Sequence, residues 1–436
     1  MDHRKSAPSE QEQRLAVYMD GLAGVVGHAD RQEPLKNYCK GLLLPGERKS
    51  VEPMAARLAS DNVGRMHQSM HHLVADSPWD DKAMLSQVRA QVLPPLTKRG
   101  PVQAWIIDDT GFPKKGTHSV GVGHQYCGQT GKKDNCQVAV SLSVSTAQGS
   151  LPVAWRLYLP QDWAADGERR EQAGVPEEIT FQTKPKLALE QIEDAVAEGI
   201  PPGVVLADAA YGVDSHLRAG IAQAGLDYIV GVTSSLQVWK PGEQASPTKK
   251  KRGRRSPSAP PDEPEPSSVS VKELAMGLPA RAWKKIQWRQ GSDRRLQSRF
   301  AAVRVRPNYS EPNQGPSEEW LLIEWPSGED EPTKYWFSNL PANIRLTKLV
   351  RLTKHRWIIE RDYQELKQEL GLGHYEGRGW RGFHHHATLC IAAYGFLVAE
   401  RSLFFFSTIQ IPLRLSAAQR CAGYRPRGAA DPSRAA

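Results

Sequence analysis

Val102-Gln103-Ala104-Trp105-Ile106-Ile107-Asp108-Asp109-Thr110 is where the chain changes period. Before it, Leu15, Tyr18, Met19 and Leu22 recur at helical spacing, and Met54, Leu58, Met66, Met70 and Leu73 continue the pattern. Pro45-Gly46 and Ser77-Pro78 punctuate that region, so residues 10 to about 97 read as a small helical module. The quoted run is apolar, short and β-branched, which predicts a strand ending at Asp108-Asp109-Thr110. Two more strands follow at Val120–Tyr126 and Gln137–Ser145, the second alternating Val138, Val140, Leu142 and Val144. Next come an amphipathic helix at Lys186–Ala197 with Pro185 at its start, a buried-type strand Val204–Ala207 ending at Asp208, a helix at Ser215–Ala224, and a strand at Tyr228–Val232. Three early strands, then helix and strand in alternation, predict a mixed α/β sheet of ribonuclease-H-like order.

Outward from this core, Lys240–Ser268 is rich in Pro, Ser, Lys and Arg and lacks apolar periodicity, which predicts a disordered loop. It holds the cationic run Lys249-Lys250-Lys251-Arg252-Gly253-Arg254-Arg255, a basic linker able to grip phosphates. Phe300–Val305, Trp320–Trp325 and Tyr335–Ser338 read as strands, the last two forming a hairpin across Pro326-Ser327-Gly328-Glu329-Asp330. Helical periodicity returns from Ile344 to Leu370. The domain reading is a helical N-terminal DNA-binding module (1–100), the first part of the core (101–232), a β-rich insertion (233–342), the second part of the core with a helical C-terminal region (343–410), and a flexible tail (411–436).

The formal charge of +9 over 436 residues points to a polyanionic partner, nucleic acid first among them. Five scattered cysteines, with no Cys-x-x-Cys pair, suit neither a disulfide framework nor a zinc knuckle, and predict a reducing cytoplasm. The apolar run Ala387–Ala399 is too short to span a bilayer, so no membrane role is expected.

Within Arg356-Trp357-Ile358-Ile359-Glu360 a carboxylate stands in an apolar and cationic stretch, with Lys367 following. On one regular helix, Arg356, Glu360 and Lys367 would lie close to one face. Asp108, Asp208 and Glu360 are then three separated acids, two at strand ends and one on a helix. Such a set suits a pair of hard divalent cations, Mg²⁺ with Mn²⁺ able to substitute, that act on a phosphodiester. Asp109 competes with Asp108 for the first position, because neighbouring strand residues face opposite ways. Asp108 is preferred because it directly follows the apolar run.

These motifs resemble those of a DDE-type transposase of a bacterial insertion sequence. Arg356, Glu360 and Lys367 fit the Y-x2-R-x3-E-x6-K signature of the insertion-sequence-4-like superfamily, with Thr353 at the Tyr position. Ile107–Gly116, Leu206–Gly212, and His374–Arg378 leading to His384-His385-His386 are similar to the insertion-sequence-701 branch. The resemblance implies a ribonuclease-H-like core with a β-rich insertion between the second Asp and the Glu. It further implies cut-and-paste movement through terminal inverted repeats, two protein copies in the DNA complex, and DNA contacts by Arg356 and Lys367. The alternatives in view are a catalytically silent DNA-binding regulator and a nuclease without strand transfer.

Lys114 and Lys115, beside the first acid, are further candidates to hold phosphates. Arg378 and Arg381, interleaved with His374, Tyr375 and Trp380, suit base stacking and phosphate contact. Three consecutive histidines cannot easily face one ion, and Trp320, Trp325 and Trp336 alternate as packing residues do.

Overall fold

The computed structural model describes residues 8–239, 268–290, 295–308 and 318–403. The basic run Lys249–Arg255, Cys421 and the tail lie outside the described residues.

Five helices open the chain: α1 (Glu10–Ala23), α2 (Ala29–Leu43), α3 (Val51–Leu58), α4 (Val63–Ala75) and α5 (Asp81–Thr97). Ser9 and Glu12 form a reciprocal capping box at the start of α1, and Asp80 caps α5 through the amides of Lys82 and Ala83. The apolar periodicity seen in sequence becomes the buried set Leu15, Tyr18, Met19, Leu22, Met54, Met70 and Leu73, with Leu58 and Met66 half-buried beside it.

The sheet begins with β1 (Ala104–Pro113), β2 (Gly123–Cys127), β3 (Lys132–Ser145) and β4 (Ser150–Leu157). β1 does not end at Asp108-Asp109-Thr110; it stays paired with β3 as far as Pro113↔Cys136. The second strand starts at Gly123, because Val120–Gly121 is taken up in a turn with Gly121 at φ 69°. Helices α6 (Gln161–Ala165), α7 (Gly167–Gln172) and α8 (Lys184–Ala197) lead to β5 (Val204–Ala207). Helices α9 (Ala209–Gly212) and α10 (Ser215–Gln223) follow, then β6 (Tyr228–Val232). β3 runs antiparallel to β1 and β4, whereas β5 is parallel to β1 and β6 parallel to β5.

The later strands are β7 (Gln237–Trp239), β8 (Val269–Ser270), β9 (Lys284–Gln290), β10 (Arg295–Pro307), β11 (Glu319–Trp325) and β12 (Lys334–Ser338), with α11 (Val271–Met276) between β8 and β9. The hairpin read from sequence is present: β11 and β12 pair from Trp320↔Ser338 to Glu324↔Lys334. β12 also pairs antiparallel with β6, so these strands extend the core sheet into one of twelve strands among the described residues.

The chain then forms α12 (Leu346–His355), α13 (Ile358–Gln364) and α14 (Trp380–Leu403). The single helix read over Ile344–Leu370 is interrupted twice. At Arg356-Trp357 the turn tightens to i→i+3 bonds, Ile359 to Arg356 and Glu360 to Trp357, each 3.2 Å. At Glu365–Glu369 it widens to a π turn. No helix of the described residues is long and apolar enough to cross a membrane.

Helix α14 is buried on nearly every side, which explains why three successive histidines are all buried on it. His384 Nε2 accepts from the Leu157 amide at 3.2 Å, and His385 stacks on Trp79 with centroids 3.6 Å apart. His386 is held between the Tyr38 hydroxyl at 2.8 Å and the Gly371 carbonyl at 3.0 Å. Burial holds the imidazole of His386 down to about 4. At His385 burial acts against two hydrogen bonds, because its ring nitrogens face the carbonyls of Val74 and Trp79. Since an unfolded histidine protonates near 6.5, His386 contributes stability that is complete above that pH and is lost as pH falls from about 6.5 to about 4, on the order of 3 kcal/mol. Asp108 and Asp362, both raised by burial, act in the opposite sense over an overlapping range, so total stability would conceal the effect. The direct check is ¹⁵N-histidine NMR: His386 should keep neutral-imidazole shifts down to pH 5, and titration near 6.5 would contradict its placement.

Candidate active site

The parallel register of β1 and β5 pairs Ala104 with Val204, Trp105 with Val205 and Ile106 with Leu206. Carried two residues further, it sets Asp108 level with Asp208. β5 ends at Ala207, and Asp208 turns away as the cap of α9, its carboxylate accepting from the Ala210 amide at 2.9 Å. Both acids thus stand where adjacent parallel strands stop pairing, a place that leaves backbone and side chains open to a ligand. The turn beyond Asp208 packs flat on β6, because glycines sit on both sides of the contact: a Cβ on Gly231 would lie 2.8 Å from the Ala209 nitrogen.

Arg356 links the two acids. Its Nη2 lies 2.8 Å from Asp108 Oδ2 and 3.7 Å from Asp208 Oδ2, while its Nε is buried without a hydrogen-bond partner. Asp108 is largely enclosed and Asp208 half open, with side chains 14% and 43% exposed. Burial pushes the Asp108 carboxyl up to about 7 despite Arg356, and the neighbouring Asp208 and Asp109 charges add to the rise.

Asp109 points elsewhere, as strand alternation requires. Its carboxylate accepts from Lys184 Nζ at 2.8 Å and from the Tyr211 hydroxyl at 3.4 Å. Of the two candidates on β1, Asp108 is therefore the one that shares a cation with Asp208.

Glu360 departs from the sequence expectation. It is exposed near the start of α13, and its charge acts on Arg356 more weakly than either aspartate does. Among the described residues, no three His, Cys, Asp or Glu side chains are gathered closely enough to hold a metal ion. The stretch that carries Arg356, Glu360 and Lys367 is not one regular helix, being tightened at Arg356-Trp357 and widened at Glu365–Glu369. Lys367 Nζ donates to the Gly111 carbonyl at 2.7 Å and to Gln129 Oε1 at 3.1 Å. It lies 4.8 Å from the Phe112 ring centre, and burial lowers its amine to about 8. Thr353, at the signature's Tyr position, spends its hydroxyl on the Leu349 carbonyl of its own helix.

The other cations surround the end of β1 in part. Lys114 donates to the Tyr375 carbonyl at 2.8 Å, and the Val120 amide bonds the Arg378 carbonyl at 2.9 Å, joining the loop after β1 to the segment before α14. Lys115 and Arg378 are exposed there. Arg381 instead donates to the Asp76 carbonyl at the end of α4. Tyr375 stacks on His386. The three hairpin tryptophans each have a cation near their ring: Arg304 at Trp320, Arg299 at Trp325 and Lys354 at Trp336.

Sequence reasoning missed the floor beneath the acids. Tyr363 is buried and bonds Ser141 at 2.8 Å, and the Asp108 charge helps to raise its hydroxyl pKa. Asp362 takes hydrogen bonds from Ser150 (2.6 Å) and Tyr394 (2.8 Å), and burial raises its carboxyl to about 6. A signal existed: Ile359, Tyr363, Leu366 and Leu370 form an apolar stripe, and Asp362 stands within its arc.

A family model described as the DDE superfamily endonuclease matches residues 21–295. The chain belongs to this family. The matched span contains Asp108 and Asp208 and stops before Glu360. Within the DDE superfamily, the chain is similar to a probable transposase for insertion sequence element IS701 from Microchaete diplosiphon. The two are 30% identical over 207 residues, 47% of this chain and 50% of the relative. The chain thus spans about half the length of the curated relative it matches. Among solved structures it is similar to a piggyBac transposase synaptic complex with hairpin DNA, with TM-score 0.39 and 11% identity over 92% of this chain and 69% of that one.

Proposed function

We propose that the chain is a transposase that cuts and joins DNA at the terminal inverted repeats of an insertion sequence. The observation that carries the reading is the level pair Asp108 and Asp208, just past the point where the parallel pairing of β1 and β5 stops and sharing one guanidinium, in a member of the DDE superfamily. The strand order β4-β3-β1-β5-β6, antiparallel on one side of β1 and parallel on the other, supports a ribonuclease-H-like core. The printed name of the IS701 relative supports an insertion sequence as the element concerned.

The donor set fits a hard divalent cation: two carboxylates, one of them half open, around a position that already attracts positive charge. Mg²⁺ or Mn²⁺ bound there would neutralise the scissile phosphate and activate the attacking oxygen, water in cutting and a DNA 3′-hydroxyl in joining. Asp108 and Asp208 hold the cation on this reading, and Glu360 is brought in from the turn it shares with Arg356. Lys114, Lys115, Lys367 and Arg378 line the approach to the end of β1 and meet phosphate, as does Arg356 once free of the aspartates. Arg381 reaches DNA only by leaving the Asp76 carbonyl. Joining two ends calls for two copies of the chain on the DNA.

The test is incubation with duplexes carrying the repeats that flank the reading frame, with and without Mg²⁺. Joined products are the expected result. Cut products alone would mean a nuclease without strand transfer, and bound but uncut DNA would mean a silent regulator.

A further inference from the structure

We infer that Arg356 is a resident counter-ion that competes with the metal for the two aspartates and is handed over to DNA phosphate when the metal enters. This deepens the proposed reading and rests on it. One nitrogen, Nη2, lies 2.8 Å from Asp108 and 3.7 Å from Asp208, so the guanidinium is the charge that now faces the two carboxylates that would hold a cation. Two carboxylates so placed repel each other without such a charge. The arrangement is also incompletely satisfied: Arg356 Nε is buried and unpartnered, so departure of the guanidinium relieves a desolvated donor. The backbone suits a movable residue. Arg356 sits in the tightened turn between α12 and α13, where regular helical bonding lapses, and Glu360 follows on the same turn.

The handover makes metal and DNA binding mutually reinforcing, because the metal frees a cation for phosphate. The test is Mn²⁺ binding to the full chain by calorimetry, without DNA, in wild type, Arg356→Gln, Arg356→Lys and Asp208→Asn. Competition requires Arg356→Gln to bind Mn²⁺ about tenfold more tightly, the low end of what one nearby charge does to proton affinity at a carboxylate. Arg356→Lys, which keeps the charge, should stay near wild type, and Asp208→Asn should lose the site. In parallel, Mn²⁺ should tighten DNA binding more in wild type than in Arg356→Gln, where only the metal's own attraction for phosphate remains. Equal or weaker Mn²⁺ binding by a folded Arg356→Gln, with the site lost in Asp208→Asn, would overturn the counter-ion role and leave the metal site standing. If Arg356→Gln does not fold, absence of any Mn²⁺ effect on wild-type DNA affinity would overturn it instead. No Mn²⁺ binding by any of the proteins would overturn the metal site itself, and this inference with it.

Discussion

Replacing Asp208 with Asn should lower DNA cleavage by roughly 10²- to 10³-fold or more while DNA affinity holds or rises slightly. The substitution separates chemistry from structure cleanly. Asn caps helices as well as Asp does, so the bond to the Ala210 amide survives and the α9 turn keeps its shape. What is lost is a negative charge, which a divalent cation needs and a phosphate avoids. Cleavage and binding are measured on the same end duplex at fixed salt, and equal loss of both would reassign Asp208 to structure. The neighbouring pair on β1 gives the matching contrast. Asp108→Asn should repeat the loss of cleavage. Asp109→Asn should act chiefly on stability, since it strips Lys184 of its carboxylate partner.

The two aspartates were legible in sequence because each follows an apolar run that only a buried strand explains, and burial then fixes where the next polar residue stands. Their shared level was not legible. It comes from the β1–β5 register, a pairing between segments 100 residues apart that no local pattern encodes. The glutamate was harder for a different reason. Arg356, Glu360 and Lys367 have helical spacing, but tertiary attractions act separately on them: Arg356 is drawn to two carboxylates and Lys367 to the Gly111 carbonyl. The helix yields at Arg356-Trp357 and again at Glu365–Glu369. Local periodicity reports the stripe that faces the core, Ile359, Tyr363, Leu366 and Leu370, and says little about irregular turns within it. The histidine triplet follows the same logic. Three consecutive histidines cannot easily face one ion, and the all-round burial of α14 turns each imidazole into a packing and hydrogen-bonding piece.

Gly212→Ala should be the most damaging single-methyl change near the site, costing roughly 3 kcal/mol. A Cβ at this position would fall inside the contact distance of the Gly231 carbonyl oxygen and close to the Val230 Cβ, and backbone cannot rotate away as a flexible side chain can. Gly212 closes α9, and its amide bonds the Asp208 carbonyl at 2.8 Å, so any outward shift of this turn carries Asp208 with it. Two effects should therefore appear together: a lower melting temperature and loss of Mn²⁺ affinity at temperatures where the protein is still folded. Gly199→Ala is the comparison, because Gly199 has a left-handed backbone, with φ 69°, but nothing within 4 Å of an added Cβ. It should cost stability through its backbone alone and leave metal affinity unchanged. If Gly212→Ala behaves like Gly199→Ala, the close packing of α9 on β6 does not position Asp208, and the acid pair must be held level by the strands alone.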